Sequence, residues 1–174
     1  TLDIYKGKRA EDFRTPREFI DFLHLKFNFT PYLDVCASLY NTKAPFYYSE
    51  KDNCLEKEWY GQVWMNPPYG RNMPLFLAKC NEQIKSKSVH SIFALVPART
   101  DTKWFHEIVC AGASEVHFIK GRFNFKHKSA VKNSNAPFAS ILIIWNKERY
   151  HNETEFYTLD VPKKYRGFDC EVKV

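Results

Sequence analysis

Glycine is scarce in this 174-residue chain, with only six present, and no G-x-G-x-x-G run occurs. Such a run is the usual sign of a nucleotide-binding turn, because glycine lets the backbone approach the phosphates closely. The sequence therefore lacks the generic signal of a nucleotide-binding loop.

The five cysteines and six histidines also lack the spacings of familiar sites. The cysteine number is odd, no C-x-x-C pair occurs, and no two histidines have helical metal-ligand spacing with a partner carboxylate. These absences argue against a disulfide framework and against a zinc site. We expect no metal and a reducing, intracellular compartment.

Long apolar runs are missing as well, and the first residues do not form a charged and then apolar leader, so we expect no membrane partner. The length predicts a single domain over 1–174, with a polar arm over 1–14 and a C-terminal extension over 146–174. The formal charge of +6 favours a polyanionic partner, although an ordinary basic surface explains it equally well. No pattern indicates an oligomeric state.

Apolar strand-like runs alternate with amphipathic segments along the chain. The predicted strands are 32–37, 45–48, 62–65, 91–96, 115–119 and 139–145. The predicted helices are 16–27, with a capping box of Thr15 and Glu18, 74–84, and one that is capped by Thr100 or Asp101 and carries 104–109. This alternation predicts an α/β fold with a mainly parallel sheet, and the last two strands are expected to form an antiparallel edge hairpin.

The segment Asn66-Pro67-Pro68-Tyr69 follows a predicted strand, where parallel sheets bind ligands. The prolines donate no backbone N–H, so the Asn66 amide oxygen and a neighbouring carbonyl can accept both hydrogens of an –NH₂ group. Acceptors placed for a pyramidal nitrogen favour the transition state of an adenine amino group over its planar ground state. Tyr69 is placed to stack on a flipped base. The alternative is an ordinary turn, but the position after an apolar strand favours a site.

Asp34 lies near the end of another predicted strand. An acid there can bind the ammonium of S-adenosylmethionine or can cap the following turn, and the residue alone leaves both open. Cys36, Ala37 and Ser38 follow, and the last two are small enough for a cofactor to approach the backbone. Asp52, after the second strand, is a further candidate cofactor contact.

A basic stretch without acids runs from Lys120 to Lys132, with Phe123 and Phe125 between the cations. This pattern favours a loop that faces nucleic acid over a merely solvated one. The candidate DNA contacts in it are Lys120, Arg122, Lys126, Lys128 and Lys132. Arg99 is either the ion-pair partner of Asp101 or a contact to a DNA phosphate.

Six blocks over about residues 14–145 resemble the phage DNA N6-adenine methyltransferase (Dam-type) family, in the family's order. The blocks are Thr15-Pro16-Arg17-Glu18, Leu33-Asp34-Val35-Cys36-Ala37-Ser38, Asn66-Pro67-Pro68-Tyr69-Gly70, Pro97-Ala98-Arg99-Thr100-Asp101-Thr102 with Trp104-Phe105-His106, Phe118-Ile119-Lys120-Gly121-Arg122 and Ala136-Pro137-Phe138. Many amino methyltransferases share the Asn-Pro-Pro-Tyr block, whereas the Pro-Ala-Arg-Thr-Asp-Thr block is far more specific to this family.

The resemblance implies a Rossmann-like S-adenosylmethionine-dependent methyltransferase fold, S-adenosylmethionine as methyl donor and N6 of a flipped adenine in DNA as acceptor. It implies that Asn66 to Tyr69 are catalytic, with Asn66 also beside the cofactor, and that Thr15 and Pro16 lie at the methionine end of the cofactor. It also implies a place in the cytoplasm or nucleoid of a bacterial host. The alternative acceptors are adenine in RNA, cytosine N4 and a glutamine amide of a protein. A catalytically inactive DNA-binding domain is the alternative from another class.

Overall fold

The computed structural model describes residues 13–125 and 134–167. Its helices are α1 (Arg17–Phe27), α2 (Met73–Gln83) and α3 (Cys110–Gly112), and a π-helical segment, Phe105–Val109, leads directly into α3. Its strands are β1 (Leu33–Asp34), β2 (Phe46–Tyr47), β3 (Gly61–Met65), β4 (Val89–Pro97), β5 (Glu115–Lys120), β6 (Asn124–Phe125), β7 (Ser134–Asn135), β8 (Ser140–Asn146) and β9 (Glu155–Asp160). Short 3₁₀ turns occur at Cys54–Glu56 and Lys163–Tyr165.

Seven strands form one sheet in the order β2-β1-β3-β4-β8-β5-β9, and β6 and β7 form a separate antiparallel ribbon. The pairs from β2 to β4 are parallel, as is the β5–β9 pair, whereas β8 runs antiparallel to both β4 and β5. A mostly parallel sheet with helices is the Rossmann-like methyltransferase fold that the sequence predicts, and that prediction is confirmed.

The antiparallel pairing of the last two predicted strands is confirmed, but their pair is not at the edge of the sheet. β8 lies between β4 and β5, and β9 takes the edge position beside β5. β9 was not predicted, because five of its six residues are exposed and it carries no buried apolar run. Part of the segment 146–174 therefore belongs to the main sheet.

The helix predicted over 16–27 is present as α1, but its predicted capping box is wrong. Pro16 is the N-cap residue and no side chain caps the helix. The Thr15 hydroxyl accepts a hydrogen bond from Asn66 Nδ2 at 3.2 Å instead, so a tertiary contact replaces the local cap. At the other end, Asn28 adopts the left-handed conformation that commonly ends a helix.

The cap predicted for the helix that carries residues 104–109 is also wrong. The Thr102 hydroxyl caps this segment, because it accepts from the N–H of Phe105 at 3.4 Å and donates to the Arg99 carbonyl at 2.7 Å. The segment is π-helical where the Ile108 carbonyl accepts from Asn81 Nδ2 at 3.0 Å. This contact attaches it to α2, since π-helical turns leave a carbonyl available to side chains.

The apolar core lies in two layers, one on each face of the sheet. Val63 and Met65 face the layer that contains α2, and Trp64 between them faces the layer that contains α1. Successive strand residues point to opposite faces, so one strand of five residues contributes to both layers. Within the described residues, no helix is long and apolar enough to cross a bilayer.

Candidate active site

The carboxyl ends of β1 and β3 are neighbours in the sheet, with Asp34 paired with Trp64. Asp34 and Asn66 consequently line one cavity. The residues around it are Arg14, Thr15, Asp34, Cys36, Asn41, Lys43, Trp64 and Asn66. Four of the residues predicted to contact a cofactor are thus brought together, while Arg14, Asn41 and Lys43 had not been predicted.

This cavity is small. Its volume of about 20 Å³ has room for a water molecule and not for a nucleoside. A larger groove of about 580 Å³ lies beside α1 on the other side of Lys43, and none of the predicted site residues lines it. Binding of a cofactor between Asp34 and Asn66 therefore requires the surrounding side chains to move.

Asp34 is almost completely buried, with 2% of its surface exposed. Its carboxylate accepts the N–H of Cys36 at 3.3 Å and the N–H of Lys43 at 2.9 Å. Burial raises the pKa of Asp34 from its ordinary value of 3.8 to about 6, and the two N–H donors and the charge of Lys43 oppose that rise. At neutral pH the site consequently holds a buried anion.

Cationic side chains surround this anion. Lys43 Nζ donates to the Asn41 carbonyl at 2.5 Å, and Arg17 Nη1 donates to the Lys43 carbonyl at 3.3 Å. Burial lowers the pKa of Lys43, Asp34 raises it, and the charges of Arg17 and Arg14 lower it further. The arrangement is therefore richer in positive than in negative charge.

The side-chain amide of Asn66 is occupied at both ends. Its Nδ2 donates to the Phe13 carbonyl at 2.7 Å and to the Thr15 hydroxyl at 3.2 Å. Its Oδ1 accepts the Tyr69 hydroxyl at 2.7 Å. The acceptor that the sequence assigned to a substrate amino group is thus held in place by Tyr69.

Tyr69 is buried beneath two phenylalanines. Its ring stacks on Phe13, with centroids 5.5 Å apart and planes at 26°, and meets the edge of Phe138 at 5.5 Å and 84°. Burial raises the pKa of its hydroxyl well above the usual range, so Tyr69 is a neutral hydrogen-bond donor. In this structure, the ring face predicted to stack on a base is covered by Phe13.

The remaining predicted residues lie around the cavity or outside it. Pro67 and Pro68 are buried between Asn66 and Tyr69, and Pro16 is buried at the start of α1. Ser38 forms a tight turn by donating its N–H and its hydroxyl to Asn41 Oδ1, at 2.7 and 3.1 Å.

Two further candidate cofactor residues do not line the cavity. Ala37 is buried and its N–H donates to the Tyr48 carbonyl at 3.0 Å. Asp52 is exposed and accepts the N–H and the hydroxyl of Ser49, which lowers its pKa. Asp52 therefore stabilises its own loop.

Three of the predicted DNA contacts are exposed at the edge of the sheet that carries the cavity. Arg99 follows β4, and Lys120 and Arg122 lie at the end of β5, which runs in the same direction as β4. Within residues 13–125, no ion pair joins Arg99 and Asp101, so that structural alternative is wrong. The other three candidate contacts, Lys126, Lys128 and Lys132, lie outside the described residues.

Phe123 and Phe125 do not face nucleic acid, which corrects the sequence interpretation. They are 0% and 1% exposed and stack on one another, with centroids 5.5 Å apart. Phe125 also meets the edge of Phe13 at 5.5 Å. These rings belong to the core, and Phe125 helps to hold the phenylalanine that covers Tyr69.

Besides Asn41 and Lys43, the sequence did not single out Phe13, Arg14 and Phe138 for a role in the site. Phe13 and Arg14 directly precede the Thr15-Pro16 block, and Phe138 ends the Ala-Pro-Phe block. Their only signal was this adjacency to motif residues, because none has a chemistry that identifies a function without its neighbours.

Comparisons with known proteins found a matching family profile and related phage proteins. Residues 5–164 match the profile of the family described as DNA N-6-adenine-methyltransferase (Dam). A DNA N-6-adenine-methyltransferase of Escherichia phage T1 is 38% identical over 124 residues, which cover 67% of this chain and 50% of that protein. A DNA N-6-adenine-methyltransferase of Haemophilus phage HP1 (strain HP1c1) is 29% identical over 112 residues, 64% of each chain. The matched part thus spans half the length of the first relative and under two thirds of the second.

Proposed function

The chain belongs to the DNA N-6-adenine-methyltransferase (Dam) family, and from that premise we propose that it transfers a methyl group from S-adenosylmethionine to N6 of an adenine in DNA. The observation that carries this proposal is that Asp34 and Asn66, from adjacent strand ends, line the same cavity. One supplies an anion and the other an amide oxygen, which are the two groups that the cofactor and the amino group need.

The residues around the cavity fit the amino-acid end of S-adenosylmethionine. The buried carboxylate of Asp34 is suited to an ammonium group, and Thr15, whose hydroxyl accepts from Asn66, lines the same cavity. When bound there, the cofactor supplies an electrophilic methyl group on a sulfonium. The turn from Ser38 to Lys43 closes over Asp34 through the Lys43 N–H, so this turn must open to admit it.

Asn66 Oδ1 and the Pro67 carbonyl accept the two hydrogens of the adenine amino group. This geometry favours a pyramidal nitrogen, whose lone pair is available for methyl transfer. The Tyr69 hydroxyl releases Asn66 Oδ1 readily, because it already has a second acceptor in the Leu95 carbonyl at 3.3 Å. No general base is needed before the transfer, since the proton leaves the nitrogen afterwards.

The adenine ring takes the place of Phe13 on the face of Tyr69. Both are flat rings of similar thickness, so the exchange replaces one stacking contact with another.

DNA is the favoured substrate because exposed cations lie at the edge of the sheet that carries the cavity. Arg99, Lys120 and Arg122 follow the carboxyl ends of β4 and β5, where phosphates of a duplex centred on Asn66 would pass. A protein substrate that is methylated at a glutamine amide would not need these cations.

The test is incubation of the protein with methyl-labelled S-adenosylmethionine and DNA, followed by nucleoside analysis. We expect N6-methyladenine in DNA, and N4-methylcytosine or label in RNA alone would contradict the proposal. Asn66→Ala should lose turnover and keep most of its DNA affinity, because the lost contacts form in the transition state. Asn152→Ala, an exposed residue in a turn before β9, is the matched control and should behave as the wild type. DNA binding with no methylation by the wild type would favour an inactive DNA-binding domain.

A further inference from the structure

Arg14 is a half-buried cation that forms no ion pair within the described part of the chain. It lines the cavity that contains Asp34, and its Nε atom is inaccessible to solvent without a hydrogen-bond partner. Among residues 13–125 and 134–167, no ion pair involves Arg14. A guanidinium does not lose its proton at physiological pH, so its partial burial is unfavourable until an anion reaches it.

The acids near Arg14 do not supply that anion. Both oxygens of Asp34 accept backbone N–H groups, and its negative charge interacts with Lys43. Glu18 Oε2 is itself buried without a partner, so it does not pair with Arg14 either. Arg17 and Lys43 add positive charge, which increases the local demand for an anion.

We propose that Arg14 binds the carboxylate of the methionine end of S-adenosylmethionine while Asp34 binds its ammonium. This assignment rests on the proposed function. An α-amino acid carries both charges on substituents of one carbon, so two opposite charges on the wall of one small cavity match it. A guanidinium also forms paired hydrogen bonds with a carboxylate, which fixes its orientation.

Two alternatives compete with this assignment. Lys43 could bind the carboxylate in place of Arg14, or Arg14 could bind a DNA phosphate in place of the carboxylate. Lys43 is less suited to the carboxylate, because an ammonium lacks the planar pair of donors with which a guanidinium binds both carboxylate oxygens. A phosphate is less suited to Arg14, because Arg14 lines the cavity and its Nε atom is buried, whereas Arg99 and Arg122 are exposed. Arg14 therefore serves the cofactor and not the DNA backbone.

The test compares two ligands that differ only in the carboxylate. S-adenosylmethionine and its decarboxylated form are titrated calorimetrically into the wild type, Arg14→Met and Arg14→Lys. We expect Arg14→Met to bind S-adenosylmethionine roughly tenfold to a hundredfold more weakly, as for a lost charge-assisted hydrogen bond, and to bind the decarboxylated ligand like the wild type. Arg14→Lys should be intermediate, because it keeps the charge and loses the paired geometry.

The control is Arg17→Met, which removes a positive charge from the same cluster at an exposed residue outside the cavity. This substitution should weaken the binding of both ligands only slightly and by the same factor. Equal losses for both ligands in Arg14→Met would show a structural role, and unchanged cofactor affinity with weaker DNA binding would show a phosphate contact. Either result overturns the assignment.

The wild type tests the assignment without any variant, since it should prefer S-adenosylmethionine over the decarboxylated ligand by a similar factor. Equal affinities would overturn the role of Arg14 and leave the proposed function intact. A wild type that binds neither ligand would overturn the proposed function itself.

Discussion

Cofactor affinity should depend on pH through Asp34, because the ammonium of the cofactor requires an ionised carboxylate. Burial raises the pKa of Asp34 from 3.8 to about 6. Below pH 6 the dissociation constant should rise about tenfold for each pH unit, so affinity at pH 5 should be about a tenth of that at pH 7. Above pH 8 the α-amino group of the ligand loses its proton, which again weakens binding. Affinity should therefore be highest between about pH 6 and pH 8.

The same shift should appear in the stability of the protein. The folded-state pKa lies above the unfolded one, so the folded protein binds more protons between pH 3.8 and about 6. The free energy of unfolding consequently falls as the pH rises through this window, and above pH 6 the full penalty, up to about 3 kcal/mol, is present. The site thus keeps a charged group at the expense of stability.

Two assays on the wild type and Asp34→Asn measure these effects. Calorimetric titration with S-adenosylmethionine from pH 5 to pH 8.5 should show weaker binding by Asp34→Asn and no dependence between pH 5 and pH 7. Methylthioadenosine, which lacks the amino-acid end, serves as the pH-independent control ligand. In urea denaturation, the difference in the free energy of unfolding between the wild type and Asp34→Asn should change by up to about 3 kcal/mol between pH 4 and pH 7.

If the free energies of unfolding of the two proteins change in parallel between pH 4 and pH 7, the raised pKa of Asp34 is refuted. Wild-type affinity that is flat from pH 5 to pH 7 would refute the contact between Asp34 and the ammonium. The Asn side chain offers one acceptor to the N–H groups of Cys36 and Lys43, which both bond to the carboxylate. A constant loss of stability in Asp34→Asn is therefore expected, and only the pH-dependent part tests the reasoning.

Four further substitutions give measurable outcomes. Lys147→Met should lower the free energy of unfolding in urea by about 2 kcal/mol, because its ammonium donates to three carbonyls at the end of α2; an unchanged midpoint would contradict this. Phe13→Ala should lower the KM for DNA roughly twofold to tenfold in steady-state assays, because its ring covers Tyr69, and a raised KM would show that the ring assists binding. Lys120→Met and Arg122→Met should each reduce the slope of log affinity for DNA against log salt concentration by about 0.9. An unchanged slope would show that the residue makes no phosphate contact.

The strand ends were predictable from the sequence because apolar runs stop there at polar residues. Val63 to Met65 and the buried part of β4 are continuous apolar runs, and Asn66 follows the first of them directly. Once the sheet is parallel, the neighbouring ends of β1 and β3 bring Asp34 and Asn66 to one edge without any further information.

Features that depend on distant contacts were not predictable in this way. Thr15 and Glu18 fit a capping box, but Thr15 bonds to Asn66 from 51 positions away. Phe123 and Phe125 alternate with polar and basic residues, which suits a stacking surface, but both belong to the apolar layer that contains α1, and Phe123 meets the edge of Phe19. Local spacing does not distinguish an aromatic residue that faces a ligand from one that faces a helix.

The covering of Tyr69 by Phe13 is the clearest example of a feature that depends on distant contacts. It depends on the short segment 13–15, which contacts both the Asp34 cavity and the Asn66–Tyr69 motif. Phe13 lies on Tyr69, the next residue lines the cavity with Asp34, and Thr15 bonds to Asn66. The Phe13 carbonyl accepts from Asn66 Nδ2, and the Tyr69 hydroxyl donates to Asn66 Oδ1, so this segment and Tyr69 together hold both ends of the Asn66 amide. A sequence pattern assigns roles to these residues one at a time, whereas their function follows from the chain that connects them.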